Sequence, residues 1–137
     1  MIKIKNSKLQ SIANFLKDAK LAGKVSRYRS KLLADIEAKM MELAKDEQNI
    51  VKESGATIND EGNITDFPDD DSRLLLQKEL TDIRFEQSIF NEKIVGQFSV
   101  LYIAMCEYSE PLAGQDAQAY DDLMEVLEEG GYDEQSD

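Results

Sequence analysis

Apolar residues recur along most of this chain at the spacing of a helix face. Leu9, Ile12, Ala13, Leu16 and Ala19 stand at i, i+3, i+4, i+7 and i+10, which predicts an amphipathic helix. Ser7-Lys-Leu-Gln10 has the spacing of a capping box at its start, and Gly23 suits a left-handed residue at its end. The strongest pattern comes next. From about Ser26 to Glu53 no Gly or Pro intervenes, and Tyr28, Leu32, Ile36, Met40, Leu43 and Ile50 keep helical spacing. A helix of about 28 residues, some 42 Å at 1.5 Å per residue, is predicted there. At that length it is expected to be the spine against which the other helices pack.

Ser54-Gly55 ends that run. Ile58 and Ile64 flank Asn59-Asp-Glu-Gly-Asn63, turn-forming residues that predict a small β-hairpin. The alternating Ile2-Lys-Ile-Lys5 reads either as an extended lead-in or as a short edge strand, which would add to the hairpin as a minimal sheet. An acidic linker is expected over about 65–71, with Pro68 among aspartates that favour the next helix N-terminus. A third helix from about Ser72 carries Leu76, Leu80 and Ile83, with a break or kink near Ser88–Asn91. Ile94, Phe98, Leu101, Tyr102 and Met105 define a fourth, ended by Glu110-Pro111. The last, from about Asp116, carries Tyr120, Leu123, Met124 and Leu127 and stops at Gly130-Gly131, before a frayed acidic tail over about 131–137. The predicted fold class is therefore mainly α. It is a single domain over 1–137, a bundle of four to five helices with a long second helix and a small β-hairpin.

Charge changes that picture, because it is divided along the chain. Residues 1–31 hold nine Lys/Arg and one acid, Asp18; after Lys93, the last base, come eleven acids and no base. Opposite fields of this kind bear on association and partner choice. The overall charge of −12 argues against general nucleic-acid binding, which needs surplus Lys/Arg facing phosphates. The N-terminus has no apolar core of signal-peptide length, and the longest apolar run, Val100–Cys106, is far short of the ~20 residues that span a bilayer. A protein free in solution, not in a membrane, is expected. Cys106, the only cysteine, lies inside that run and is expected to be a buried, unreactive thiol in a reducing compartment.

Candidate chemistry is sparse. There is no histidine, which removes His-based nucleophilic machinery and His-containing zinc sites. No Gly-rich phosphate loop is present, since Gly23-Lys24 lacks the preceding glycine. Placing Gly62 at position six of a calcium loop puts Thr57 and Pro68 where acids are required, so a cation near Asp66–Asp71 is not supported. No cofactor, metal or small-molecule substrate is expected, and the chain reads as a non-enzyme. Two charged groups remain as candidate interaction surfaces. The basic patch Lys24, Arg27, Arg29 and Lys31 reads either as a contact for phosphate or an acidic partner, or as intramolecular pairing with acids of the C-terminal helices. The acidic face Asp121, Asp122, Glu125, Glu128 and Glu129 reads either as an ordinary solvated face or as phosphate-like charge that imitates DNA.

Several segments resemble an uncharacterised protein family of phages and prophages of low-GC Gram-positive bacteria. They are Ile12–Leu16, Leu21-Ala-Gly-Lys-Val-Ser-Arg-Tyr-Arg-Ser-Lys-Leu-Leu33, the turn Asp60–Asn63, and Leu112-Ala-Gly-Gln-Asp-Ala-Gln-Ala-Tyr-Asp-Asp-Leu123 running into Glu128-Glu129. Their order covers nearly the whole chain. The resemblance implies a phage-encoded protein acting in the bacterial cytoplasm or in a particle, and it brings no catalytic residues with it. The leading expectation is a non-enzymatic protein-interaction or assembly protein that binds another protein or itself. The alternative is an acidic, DNA-mimic-like inhibitor of a host defence or nucleic-acid enzyme.

Overall fold

In a computed structural model of the chain, which describes residues 1–134, the elements run β1 (Ile2–Lys5), a 3-10 turn (Asn6–Lys8), α1 (Leu9–Asp18), α2 (Gly23–Glu53), β2 (Thr57–Ile58), β3 (Ile64–Asp66), α3 (Asp70–Phe85), β4 (Gln87–Phe90), α4 (Gln97–Cys106) and α5 (Gly114–Glu129). The mainly helical bundle, the long second helix and the small hairpin are as the periodicity predicts.

The core gathers where α1, the first part of α2, α4 and α5 meet. Leu9, Ile12, Phe15 and Leu16 of α1 close on Tyr28, Leu32 and Ile36 of α2. Phe98, Leu101 and Met105 come from α4, and Ala119, Leu123 and Leu127 from α5. The Phe15 ring meets Tyr108 and Tyr120 edge-on at centroid distances of 5.9 and 5.8 Å, and the Tyr120 hydroxyl donates to the Met105 carbonyl at 2.6 Å. Each fully buried Leu, Ile or Phe contributes about 1.5–3 kcal/mol, so this end of the molecule holds most of the hydrophobic stabilisation.

β1 does not join the hairpin. It pairs antiparallel with β4, with Ile2 opposite Phe90 and Ile4 opposite Ser88. Alternation explains the choice. Ile2, Ile4, Ser88 and Phe90 all face the core, whereas every residue of β2 and β3 is exposed and offers no buried face to a third strand. The expected kink near Ser88–Asn91 is in fact this strand. Ser88 also donates to the Asn6 side chain, whose amide nitrogen donates to the Ile83 carbonyl at 2.7 Å, tying the end of α3 to the 3-10 turn.

Other boundaries differ for local reasons. Gly23 has φ +60 but opens α2 instead of closing α1. Ser7 lies in the 3-10 turn and caps nothing, and α1 begins without a side-chain cap. Asp69 caps α3 by accepting from the Ser72 amide at 2.7 Å, which draws the helix start back to Asp70 and shortens the linker to 67–69. Gly96, at φ +80, delays α4 to Gln97, although Ile94 still packs on the core. Cys106, the last residue of α4, is exposed and not buried. The part of the expected frayed tail at 135–137 lies outside the described residues. Tyr132, by contrast, packs on Phe98 with centroids 5.2 Å apart, and its hydroxyl accepts from the Met1 amine.

Beyond Ile36 no residue of α2 is buried. Its remaining turns form an arm with β2, β3 and the first turns of α3. Leu76 is the one fully buried large side chain there, while Met41, Leu74 and Leu75 are more than half exposed. Among the described residues no helix is long and apolar enough to cross a membrane.

Candidate functional site

The two charge blocks of the sequence become neighbours in the fold, because α1 lies along α5. Asp122 is 5% exposed; it accepts from Lys8 at 3.1 Å and from Gln118 at 3.0 Å. Lys20 lies 3.8 Å from Glu110 at the other end, with both groups exposed. Two of the nine N-terminal bases are thus paired with C-terminal acids within the molecule. Lys8 of the 3-10 turn and Lys20, just past α1, are the partners, not the basic patch.

The patch itself divides. Arg29 is structural. Its Nη1 donates to the Leu16 carbonyl at 2.8 Å and the Ala19 carbonyl at 2.7 Å, and its Nη2 donates to Ser26 Oγ at 2.8 Å. Those carbonyls belong to the end of α1, where backbone acceptors have no partner within the helix, and a cation also suits the negative end of the dipole. Arg29 therefore clamps α1 to α2, and the expected pairing of Arg27, Arg29 and Lys31 with C-terminal acids is not found among the described residues. Lys24, Arg27 and Lys31 remain at i, i+3 and i+7, on one stripe of α2, and Lys24 Nζ lies 5.4 Å from the Tyr28 ring centroid.

The acidic face divides too. Asp121, Glu125, Glu128 and Glu129 are exposed, whereas Asp122 is withdrawn beneath Lys8. Carboxylate oxygens of Asp121, Asp122 and Glu125 lie within 4.8 Å of one another. Lys8 supplies one balancing charge to this group. Glu128 accepts from the Tyr102 hydroxyl at 3.2 Å; burial first, then Cys106 and Glu128, pushes that phenol up to about 12. Burial likewise raises Tyr120, with Cys106 adding to it, and raises Tyr132 with Glu92 adding. Asp69 is held below its ordinary value, chiefly by the Ser72 amide that it caps.

A feature that neither charge block points to is a groove of about 540 Å³ on the arm, between the last turns of α2, the hairpin and α3. Its apolar surface comes from Ala44, Val51, Ile58, Ile64 and Leu80, with Glu47 at its edge. Ile58 and Ile64 are still 38% and 37% exposed. The hairpin has two- and three-residue strands, too short to bury the face it covers. The signal was present in the sequence, since segment 53–72 has seven acids and no base around two isoleucines.

Comparison of the chain with protein-family models, with curated proteins and with solved structures gave no match in any of the three.

Proposed function

We propose that this chain is a non-enzymatic protein-interaction or assembly protein, encoded by a phage as the resemblance of segments 12–33, 60–63 and 112–129 implies, and acting in the host cytoplasm or a particle. The observation that carries the reading is the uncovered apolar groove on an arm that has little core of its own. Contiguous apolar surface rimmed by polar groups is characteristic of protein contact sites. The alternative, an acidic inhibitor presenting phosphate-like charge from α5, is less favoured because Asp122, one of its five acids, is buried and paired with Lys8.

The test is capture from phage-infected host lysate by the tagged full chain at low and high salt. The reading predicts a discrete protein partner in near-stoichiometric amount, without co-purifying nucleic acid. Recovery of the chain alone, or of nucleic acid in its place, would overturn it.

A further inference from the structure

We propose that the groove at the arm tip docks a basic, amphipathic segment of a partner protein, apolar side chains seated on Val51, Ile58, Ile64 and Leu80 with Lys or Arg beside them. The inference rests on the interaction reading above and adds the surface and the chemistry of what fills it.

The occupant follows from charge. Between Glu53 and Ser72 the chain carries Glu53, Asp60, Glu61, Asp66, Asp69, Asp70 and Asp71 and no base. The first base beyond, Arg73, lies 3.7 Å from Asp70 and is itself exposed; Lys52, at the near end, lines the groove. The lining itself sets Glu47 against Lys52, and the surplus of acid lies in the segment 53–71 that carries Ile58 and Ile64, where Asp70 is the one acid in an ion pair among the described residues. Each carboxylate would be stabilised by a cation brought alongside, and a field of one sign also speeds encounter with an oppositely charged partner. The apolar floor supplies what charge alone does not, a surface that gains by leaving water.

Other occupants fit less well. A second copy docking arm to arm would set seven carboxylates against seven. A second copy docking through its basic stripe would offer Lys24, Arg27 and Lys31, but no large apolar residue between Met1 and Met41 is exposed, so that stripe has nothing to seat in the groove; Phe85 and Ile89, exposed beside Lys5 and Lys3, are the self-docking face that the light-scattering test below covers. Nucleic acid and anionic lipid are repelled by the same acids.

A displayed library of random dodecamer peptides, selected on the full chain and counter-selected on Ile58→Ser/Ile64→Ser, tests this. Both positions are over one-third exposed, so the double variant is expected to fold. Enriched peptides should carry two or more Lys/Arg interleaved with Leu, Ile or aromatic residues. Fluorescence anisotropy of one labelled peptide should show affinity about tenfold lower for the double variant. It should also fall several-fold for Glu47→Gln/Asp60→Asn/Glu61→Gln, a set that leaves the apolar floor intact, and fall with added salt. Enrichment of neutral or acidic peptides, or equal binding to wild type and both variants, would overturn the proposal. So would light scattering that shows a dimer of the wild type lost in the double variant, since the occupant would then be a second copy. If lysate capture yields a discrete partner that both wild type and Ile58→Ser/Ile64→Ser retain equally, the interaction reading stands and the groove is refuted. If capture yields no partner at all, the reading itself fails.

Discussion

Replacing Arg29 with Met removes the guanidinium while keeping most of the aliphatic stem, so it isolates the clamp between α1 and α2. Two backbone carbonyls lose charge-assisted donors at 2.8 and 2.7 Å, and Ser26 loses a third contact. A hydrogen bond to a charged group contributes about 1.5–3 kcal/mol. The simple sum overstates the loss, because Arg29 is only half-buried and water can reach the freed carbonyls. A net cost of about 2 kcal/mol follows, a fall in Tm of roughly 5–10 °C for a domain of this size. Arg29→Lys should recover part of it, since one ammonium lacks the fork that spans two carbonyls. Arg27→Met, on the exposed stripe, should stay within about 0.5 kcal/mol of wild type. Urea unfolding followed by far-UV circular dichroism measures all three, and unchanged m-values would show that only stability moved. If Arg29→Met costs no more than Arg27→Met, the clamp is absent.

Three further outcomes follow. Lys8→Met leaves Asp122 buried with only Gln118 as partner, and should cost about 1–2 kcal/mol in urea unfolding, while Lys8→Met/Asp122→Leu should recover most of it. Asp69 has a folded-state pKa below its ordinary value of 3.8, so its cap stabilises above that pH and is lost as pH falls through the lower folded value. Hydrogen exchange in the first turn of α3 should therefore be faster in Asp69→Ala, which removes the cap, than in wild type at neutral pH, with the difference shrinking on acidification below about 3.8. Gly55 closes α2 at φ +80 with Pro68 Cγ 3.4 Å from where a Cβ would stand; Gly55→Ala should cost roughly 1–2 kcal/mol in thermal unfolding, against little for Ala56→Ser.

The helices were legible because their apolar faces repeat at i, i+3 and i+4, and that signal is local. Leu32, Ile36, Leu101 and Leu123 all occupy the buried side that their spacing predicts. What failed to show was long-range. Nothing near Ile2–Lys5 names Gln87–Phe90 as its partner across more than eighty residues, and the hairpin looked the nearer choice. Arg29 was legible as a base but not as a clamp, because its acceptors are backbone carbonyls, which every residue carries. Asp122 was legible as one acid among five on α5, and only the packing of α1 singles it out. Cys106 was misplaced because an unbroken apolar run suggests burial throughout, yet the last turn of a helix turns one side to water. The groove was half legible: its acids and isoleucines stand in the sequence, but the gap between them depends on how little of α2 the hairpin covers.

The central claim is that one well-packed body carries an arm whose acidic, apolar-floored tip is left uncovered. Native-state hydrogen exchange read by mass spectrometry on the full chain tests it most directly. Amides of α1, α4, α5 and the first part of α2 should exchange only with global unfolding. Those of α2 beyond Met40, of β2, β3 and of the first turns of α3 should open at a clearly lower free energy. Equal protection along the whole of α2 and α3 would mean that the arm is covered after all, and would contradict the account.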